Sequence, residues 1–168
     1  MLPPYLMQLV YEENSHSFIS SSLVTIFIGI LFVLSNLEQE YKLNLKQTFL
    51  FSTLAWLMVA VFGSLPFLFS PKEFTFSEAF FESMSGITTT GSTIINDLDL
   101  QPKGVLIWRA LLQWLGGIGI IVLAISVLPF LKVGGMQLFH MEGDDPYEKF
   151  LPRISSVVSK IFLIYCLL

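Results

Sequence analysis

Three stretches of this chain carry no charged residue at all: Ser17 to Ser35, Thr48 to Phe69, and Ala110 to Leu131. Each is roughly 19 to 22 residues long, and about 20 residues rising 1.5 Å apiece cross a hydrocarbon core of about 30 Å. In lipid the backbone must satisfy its own polar groups, which leaves only helices and closed barrels. Period-2 alternation is missing from all three runs, which argues against a barrel and predicts three spanning helices. Composition agrees: 54% of residues are hydrophobic, 13% are charged, and 16 are phenylalanine. A soluble domain of 168 residues has too little interior to hide that much apolar side chain. Lipid is the expected partner of this surface.

The net charge of −4 provides no basic stripe to neutralise phosphates, so nucleic acid is not an expected partner. A single cysteine, Cys166, rules out an internal disulfide and a cysteine-based zinc site, and reads as a small apolar residue in a helix. The opening Met1-Leu2-Pro3-Pro4 lacks the basic start of a cleavable signal peptide. A fourth apolar stretch, Ile154 to Leu168, is short for a span and stops without a cap, while Leu2 to Val10 reads like the tail of an earlier helix. The chain is therefore expected to be part of a longer protein. Lysine and arginine set the topology. Lys42 and Lys46 follow the first run, and Lys132, Lys149 and Arg153 follow the third, whereas residues 1–16 have neither. The connection between the second and third runs has Lys72 and Lys103, with Arg109 at its far end; the larger set places the connections after the first and third runs inside, with the N-terminus and the Pro71 to Lys103 connection outside.

The connection between the second and third runs is too ordered in pattern for a plain loop. Thr75 and Glu78 have capping-box spacing. The following run, residues 77–86, reads as a helix of about ten residues, roughly 15 Å or half a membrane, with Gly86 at its end as a C′ glycine. Next comes Ile87-Thr88-Thr89-Thr90-Gly91-Ser92-Thr93, with five hydroxyl side chains and one glycine in seven residues. β-Branched threonines favour extended backbone and glycine admits unusual φ values. A half-membrane helix followed by such backbone, between two full spans, has the arrangement of a re-entrant pore loop. Its carbonyls can replace the hydration shell of a cation, with the negative end of the helix dipole behind them.

Several acidic residues and glycines keep two readings at this point. Glu82 is either a carboxylate behind the loop or a solvated group at the outer mouth, and Glu78 belongs to the cap. Asp97 and Asp99 fit an ordinary polar loop better than a cation-concentrating mouth. Gly116, Gly117 and Gly119 serve either close helix packing or a gating hinge. Trp108 and Arg109 read as an interfacial anchor, and Pro129 sits where the third span ends. His140, Asp144, Asp145 and Glu148 lack the spacing of a metal site and fit a solvated turn. No nucleophile–base pair, phosphate loop or metalloprotease helix occurs, so the chain is not read as an enzyme and no cofactor is expected.

The run Ala79-Phe80-Phe81-Glu82-Ser83-Met84-Ser85-Gly86-Ile87-Thr88-Thr89-Thr90-Gly91-Ser92-Thr93 closely resembles the first pore loop of TrkH-type potassium-uptake proteins, of the Trk/Ktr/HKT superfamily. So do Trp108-Arg109-Ala110-Leu111-Leu112-Gln113-Trp114-Leu115-Gly116-Gly117-Ile118-Gly119 and Leu128-Pro129-Phe130-Leu131-Lys132-Val133-Gly134-Gly135-Met136-Gln137-Leu138. The resemblance implies an all-α membrane protein, part of a chain with four helix–pore loop–helix repeats around one pore. Residues 1–47 then hold an extra N-terminal transmembrane region with its span at 17–35. Residues 48–131 hold the first repeat, with spans at 48–69 and 110–131, pore helix 77–86 and filter 88–92. Residues 132–168 hold a cytoplasmic turn and the start of a second repeat. By the same resemblance the carbonyls of Thr89 and Thr90 bind potassium, Thr88, Gly91 and Ser92 line the same strand, and Glu82 supports it. The expected setting is the bacterial inner (cytoplasmic) membrane, in a homodimer associated with a cytoplasmic nucleotide-binding subunit of the TrkA type. The alternative is a non-conducting membrane scaffold or sensor subunit whose polar loop meets a partner outside the cell.

Overall fold

The structure, a computed structural model, describes residues 1–13, 16–37, 45–72, 74–127 and 146–167. These form α1 (Leu2–Val10), α2 (His16–Ser35), α3 (Leu45–Leu68), α4 (Phe76–Ile87), α5 (Lys103–Val127) and α6 (Pro146–Leu167). A single 3-10 turn, Leu98–Leu100, precedes α5, and there is no strand among the described residues. Three helices have stretches long and apolar enough to cross a membrane: His16–Ser35, Phe49–Leu68 and Lys103–Leu123. The all-α membrane architecture expected from the uncharged runs is therefore present. α5 begins at Lys103, ahead of the uncharged run from Ala110, because its first turn is capped by another part of the chain. The Glu13 carboxylate accepts the Lys103 N–H at 2.9 Å and the Gly104 N–H at 3.4 Å, an acid placed where free helix donors and the positive dipole end favour one. The expected end of that span and the turn after it, residues 128–145, lie outside the described residues, and with them His140, Asp144 and Asp145.

The chain divides into two compact units, Met1–Trp114 and Leu115–Leu168. In the first, α4 packs on α3, and the core gathers Phe18, Phe67, Ala79, Ile95, Val105, Trp108 and Leu112 from α2, α3, α4, the loop and α5. The Phe18 and Trp108 rings meet edge to face at 6.2 Å, as do Phe67 and Phe74, the geometry that the aromatic quadrupole favours. Outside this core the apolar faces point outward: Phe27, Ile30, Leu31, Phe32, Val33 and Leu34 of α2 are all exposed. A helix that is apolar all round and buried on only one face needs lipid, or other transmembrane helices, as its surroundings.

Trp108 and Arg109 correct an expectation. An aromatic–arginine pair near the end of a span suggested an interfacial anchor, yet both are buried, at 7% and 9% exposure. The Trp108 indole donates from Nε1 to the Gly63 carbonyl of α3 at 2.9 Å. Trp108 therefore holds α5 to α3 and does not face outward.

In the second unit α5 continues as unbroken helix through Gly116, Gly117 and Gly119. The Gly117 Cα faces the Tyr165 ring of α6, so closely that an added Cβ would collide with the Tyr165 hydroxyl. That is the close approach small residues permit between helices in lipid. α6 is apolar only toward its end, over Val158–Leu167. Cys166 is an exposed free thiol on this helix.

Candidate functional site: a half-length helix and the segment it carries

α4 starts as the sequence predicts. Thr75 is the N-cap, its Oγ1 accepts the Glu78 N–H at 3.4 Å, and Glu78 Oε2 accepts the Thr75 N–H at 2.8 Å, a complete capping box. Glu78 is exposed, and these bonds hold its carboxyl below the ordinary value of 4.5: first the Thr75 backbone N–H, then the Thr75 hydroxyl, with Lys72 adding a smaller pull. With 12 residues the helix is about 18 Å long, too short to cross a bilayer.

Its C-terminus differs from expectation. Gly86 is not the residue past the end. It lies inside the helix, where a Cβ would come within 2.9 Å of Leu112 Cβ on α5. Glycine is there to let α4 and α5 meet, and the helix runs on to Ile87 with Thr88 as C-cap. The residue in the left-handed conformation is Thr89, with φ 58°. The Thr89 N–H returns to the Gly86 carbonyl at 2.9 Å and the Thr90 N–H to the Ser85 carbonyl at 3.0 Å. This is a Schellman closure with threonine in the place glycine usually takes. For a β-branched side chain that conformation costs roughly 1–2 kcal/mol.

Beyond Thr89 the backbone has no regular secondary structure up to Ile95, and it is pinned from behind at three points. Ser85 Oγ donates to the Ser92 carbonyl at 2.6 Å, while Glu82 Oε1 accepts Thr93 Oγ1 and the Ile94 N–H, each at 2.6 Å. Glu82 is 1% exposed, so it is not a solvated group at an outer mouth. Its second oxygen, Oε2, lies 3.0 Å from Arg109 Nε. That oxygen receives no hydrogen bond among the described residues, so the pair is a charge contact without a well-directed N–H.

The expected site residues thus share one short segment but differ in what remains free. The Ser92 carbonyl is taken by Ser85, and the Thr88 carbonyl by the Thr89 hydroxyl at 2.7 Å. Among the described residues, the carbonyls of Thr89, Thr90 and Gly91 accept no hydrogen bond. Gly91 has φ 75°, and an added Cβ would be 3.5 Å from Gln113 Nε2, an ordinary contact. Within this chain glycine is required there by backbone conformation, not by crowding. Asp97 takes a left-handed φ of 52° ahead of the 3-10 turn, and the Asp99 side chain lies outside what is described. No group of three or more His, Cys, Asp or Glu able to hold a metal occurs among the described residues.

Sequence reasoning missed Thr93 and Ser85 as anchors and Arg109 as the partner of Glu82. One signal was available: an arginine beside an apolar run needs an acid, and Glu82 is the acid in the apolar half-helix before it.

α4, too short to cross a bilayer, hands over to a pinned Thr/Gly segment between two candidate spans. The TrkH family model, described as a cation transport protein, matches residues 14–168. The chain belongs to the TrkH cation transport family, which is not an enzyme class. It is 41% identical over 172 aligned residues to the Trk system potassium uptake protein TrkH of Escherichia coli K12, covering 100% of this chain and 36% of that protein. It is 47% identical over 120 residues to TrkI of Halomonas elongata, covering 71% of this chain and 24% of the relative, and 34% identical to TrkG of E. coli K12 over 172 residues. The chain spans about a third of the length of the TrkH relatives it matches.

Proposed function

We propose that this chain supplies one side of the selectivity filter of a Trk-type potassium-uptake system, with residues 48–131 as one of four pore repeats. The observation that carries the reading is the split among the loop carbonyls: those of Thr88 and Ser92 are bonded within the chain, while those of Thr89, Thr90 and Gly91 are left as acceptors. Dehydrated potassium passes along these oxygens, driven inward by the membrane potential. The Met84, Ser85 and Gly86 carbonyls near the end of α4 accept loop N–H groups, so these three act through the helix dipole and not as direct ligands. Potassium is cargo here, and no cofactor takes part.

The remaining repeats, in the longer protein, complete the ring of oxygens. The assembly is a homodimer in the bacterial inner membrane, with the N-terminus and the loop outside and a TrkA-type nucleotide-binding subunit on the cytoplasmic side. The test is rubidium uptake by the full gene product carrying Gly91→Asp, in cells lacking other potassium-uptake systems. Uptake should be abolished while the protein still reaches the membrane. Unchanged uptake rejects the filter assignment.

A further inference from the structure

We propose that Arg109 is a positioning residue for the filter strand, acting through Glu82 to fix where the strand leaves the ion path. The proposal rests on the filter reading above and adds a residue to it. The connection runs from α5 through α4 into the loop: Arg109 Nε to Glu82 Oε2 at 3.0 Å, then Glu82 Oε1 to Thr93 Oγ1 and to the Ile94 N–H, each at 2.6 Å. Thr93 Oγ1 also accepts the Ile95 N–H at 3.0 Å, and Ile95 is buried in the core. One carboxylate therefore spends one oxygen on the strand and turns the other to the guanidinium.

Both charged side chains are closed off, with Glu82 at 1% and Arg109 at 9% exposure. A buried ion pair is a poor way to gain stability, because an apolar pair of similar volume does as well or better. Removing one partner, in contrast, leaves an uncompensated charge where the dielectric is low. Without Arg109, Glu82 has reason to turn toward water or toward the passing cation, and the strand loses two charge-assisted bonds. The carbonyls of Thr89 and Thr90 lie on the same short strand, so their spacing changes with it, and spacing and orientation are what discriminate potassium from sodium.

The experiment measures rubidium and sodium uptake by the full gene product, normalised to protein in the membrane, for Arg109→Gln, Arg109→Lys and Thr93→Val. Arg109→Gln should lower the rubidium-over-sodium ratio about tenfold, the effect typical of losing hydrogen bonds to a charged group. Arg109→Lys should recover most of it, and Thr93→Val should lower the ratio in the same direction. A purely structural role lowers the amount of protein or both fluxes together, so an accumulated Arg109→Gln protein with an unchanged ratio overturns the proposal. If Arg109→Gln fails to accumulate or carries neither ion, Thr93→Val decides, and an unchanged ratio there overturns it. Gly91→Asp separates the two levels: unchanged uptake in that variant removes the filter reading itself. Lost uptake in that variant, with unchanged ratios in the others, removes only the role of Arg109.

Discussion

The indole of Trp108 reaches across from α5 to the backbone of α3 and donates to the Gly63 carbonyl at 2.9 Å. The contact is buried, beside the edge-to-face pair of Trp108 with Phe18. It ties α5, the helix after the Thr/Gly segment, to α3, the helix before α4. Trp108→Phe removes one donor and part of a large ring, a loss of about 1–3 kcal/mol. The variant should melt earlier in detergent, followed by loss of the monodisperse peak on heating, while its rubidium-over-sodium ratio stays that of the parent.

Gly86 and Leu112 form a second seam. A Cβ on Gly86 would stand 2.9 Å from Leu112 Cβ, atoms too near the backbones to swing aside. Gly86→Ala should destabilise by about 1–3 kcal/mol through overpacking. Residues in direct contact are not additive, so Leu112→Gly, which removes the opposing Cβ, added to Gly86→Ala should cost less than the sum of the two single changes. Additive melting shifts in that cycle would show that the seam is not where the strain falls.

Thr89 closes α4 in a conformation that favours glycine, at φ 58°. Thr89→Gly relieves about 1 kcal/mol of backbone strain, and the variant should melt later than the parent. Its potassium affinity should weaken at the same time, because the freed backbone no longer presents its carbonyl in a single orientation. A lower melting temperature would contradict the strain.

Glu78 links the start of α4 to pH. Its folded-state value is lowered by the Thr75 backbone and hydroxyl bonds. A depressed carboxylate contributes stability that is present above its unfolded value and is lost as pH falls through the folded one. The capping box should therefore hold at neutral pH and weaken only below the ordinary value of 4.5. Glu78→Gln should melt like the parent in acid and earlier than the parent at neutral pH. A constant difference between the two across that range would count against the linkage.

Much of this architecture was legible in the sequence because each signal was local. Uncharged runs of membrane length gave the spans, Thr75 and Glu78 gave the start of α4, and a half-length helix before a hydroxyl-rich segment gave the loop. What was misread depends on residues that meet only in space. Gly86 looked like a helix terminator because glycine usually is one there, but its neighbour Leu112 lies on another helix. Trp108 and Arg109 looked like a headgroup anchor because that is the statistical place for such a pair near the end of a span. Their partners, Gly63 and Glu82, come from α3 and α4, and no spacing rule joins them. Thr93 sat inside the hydroxyl-rich run without any mark to set it apart as the residue that Glu82 holds.

The central claim is that the segment from Thr89 to Ser92 lines a potassium path, and cysteine protection tests it most directly. The full gene product carrying Ser92→Cys, with the exposed Cys166 replaced by serine, is treated from outside with a small charged thiol reagent in potassium or in a bulky organic cation. Modification should be several-fold slower in potassium, because an occupied filter denies the reagent access. Equal rates in both solutions would make the segment an ordinary external loop and contradict the account.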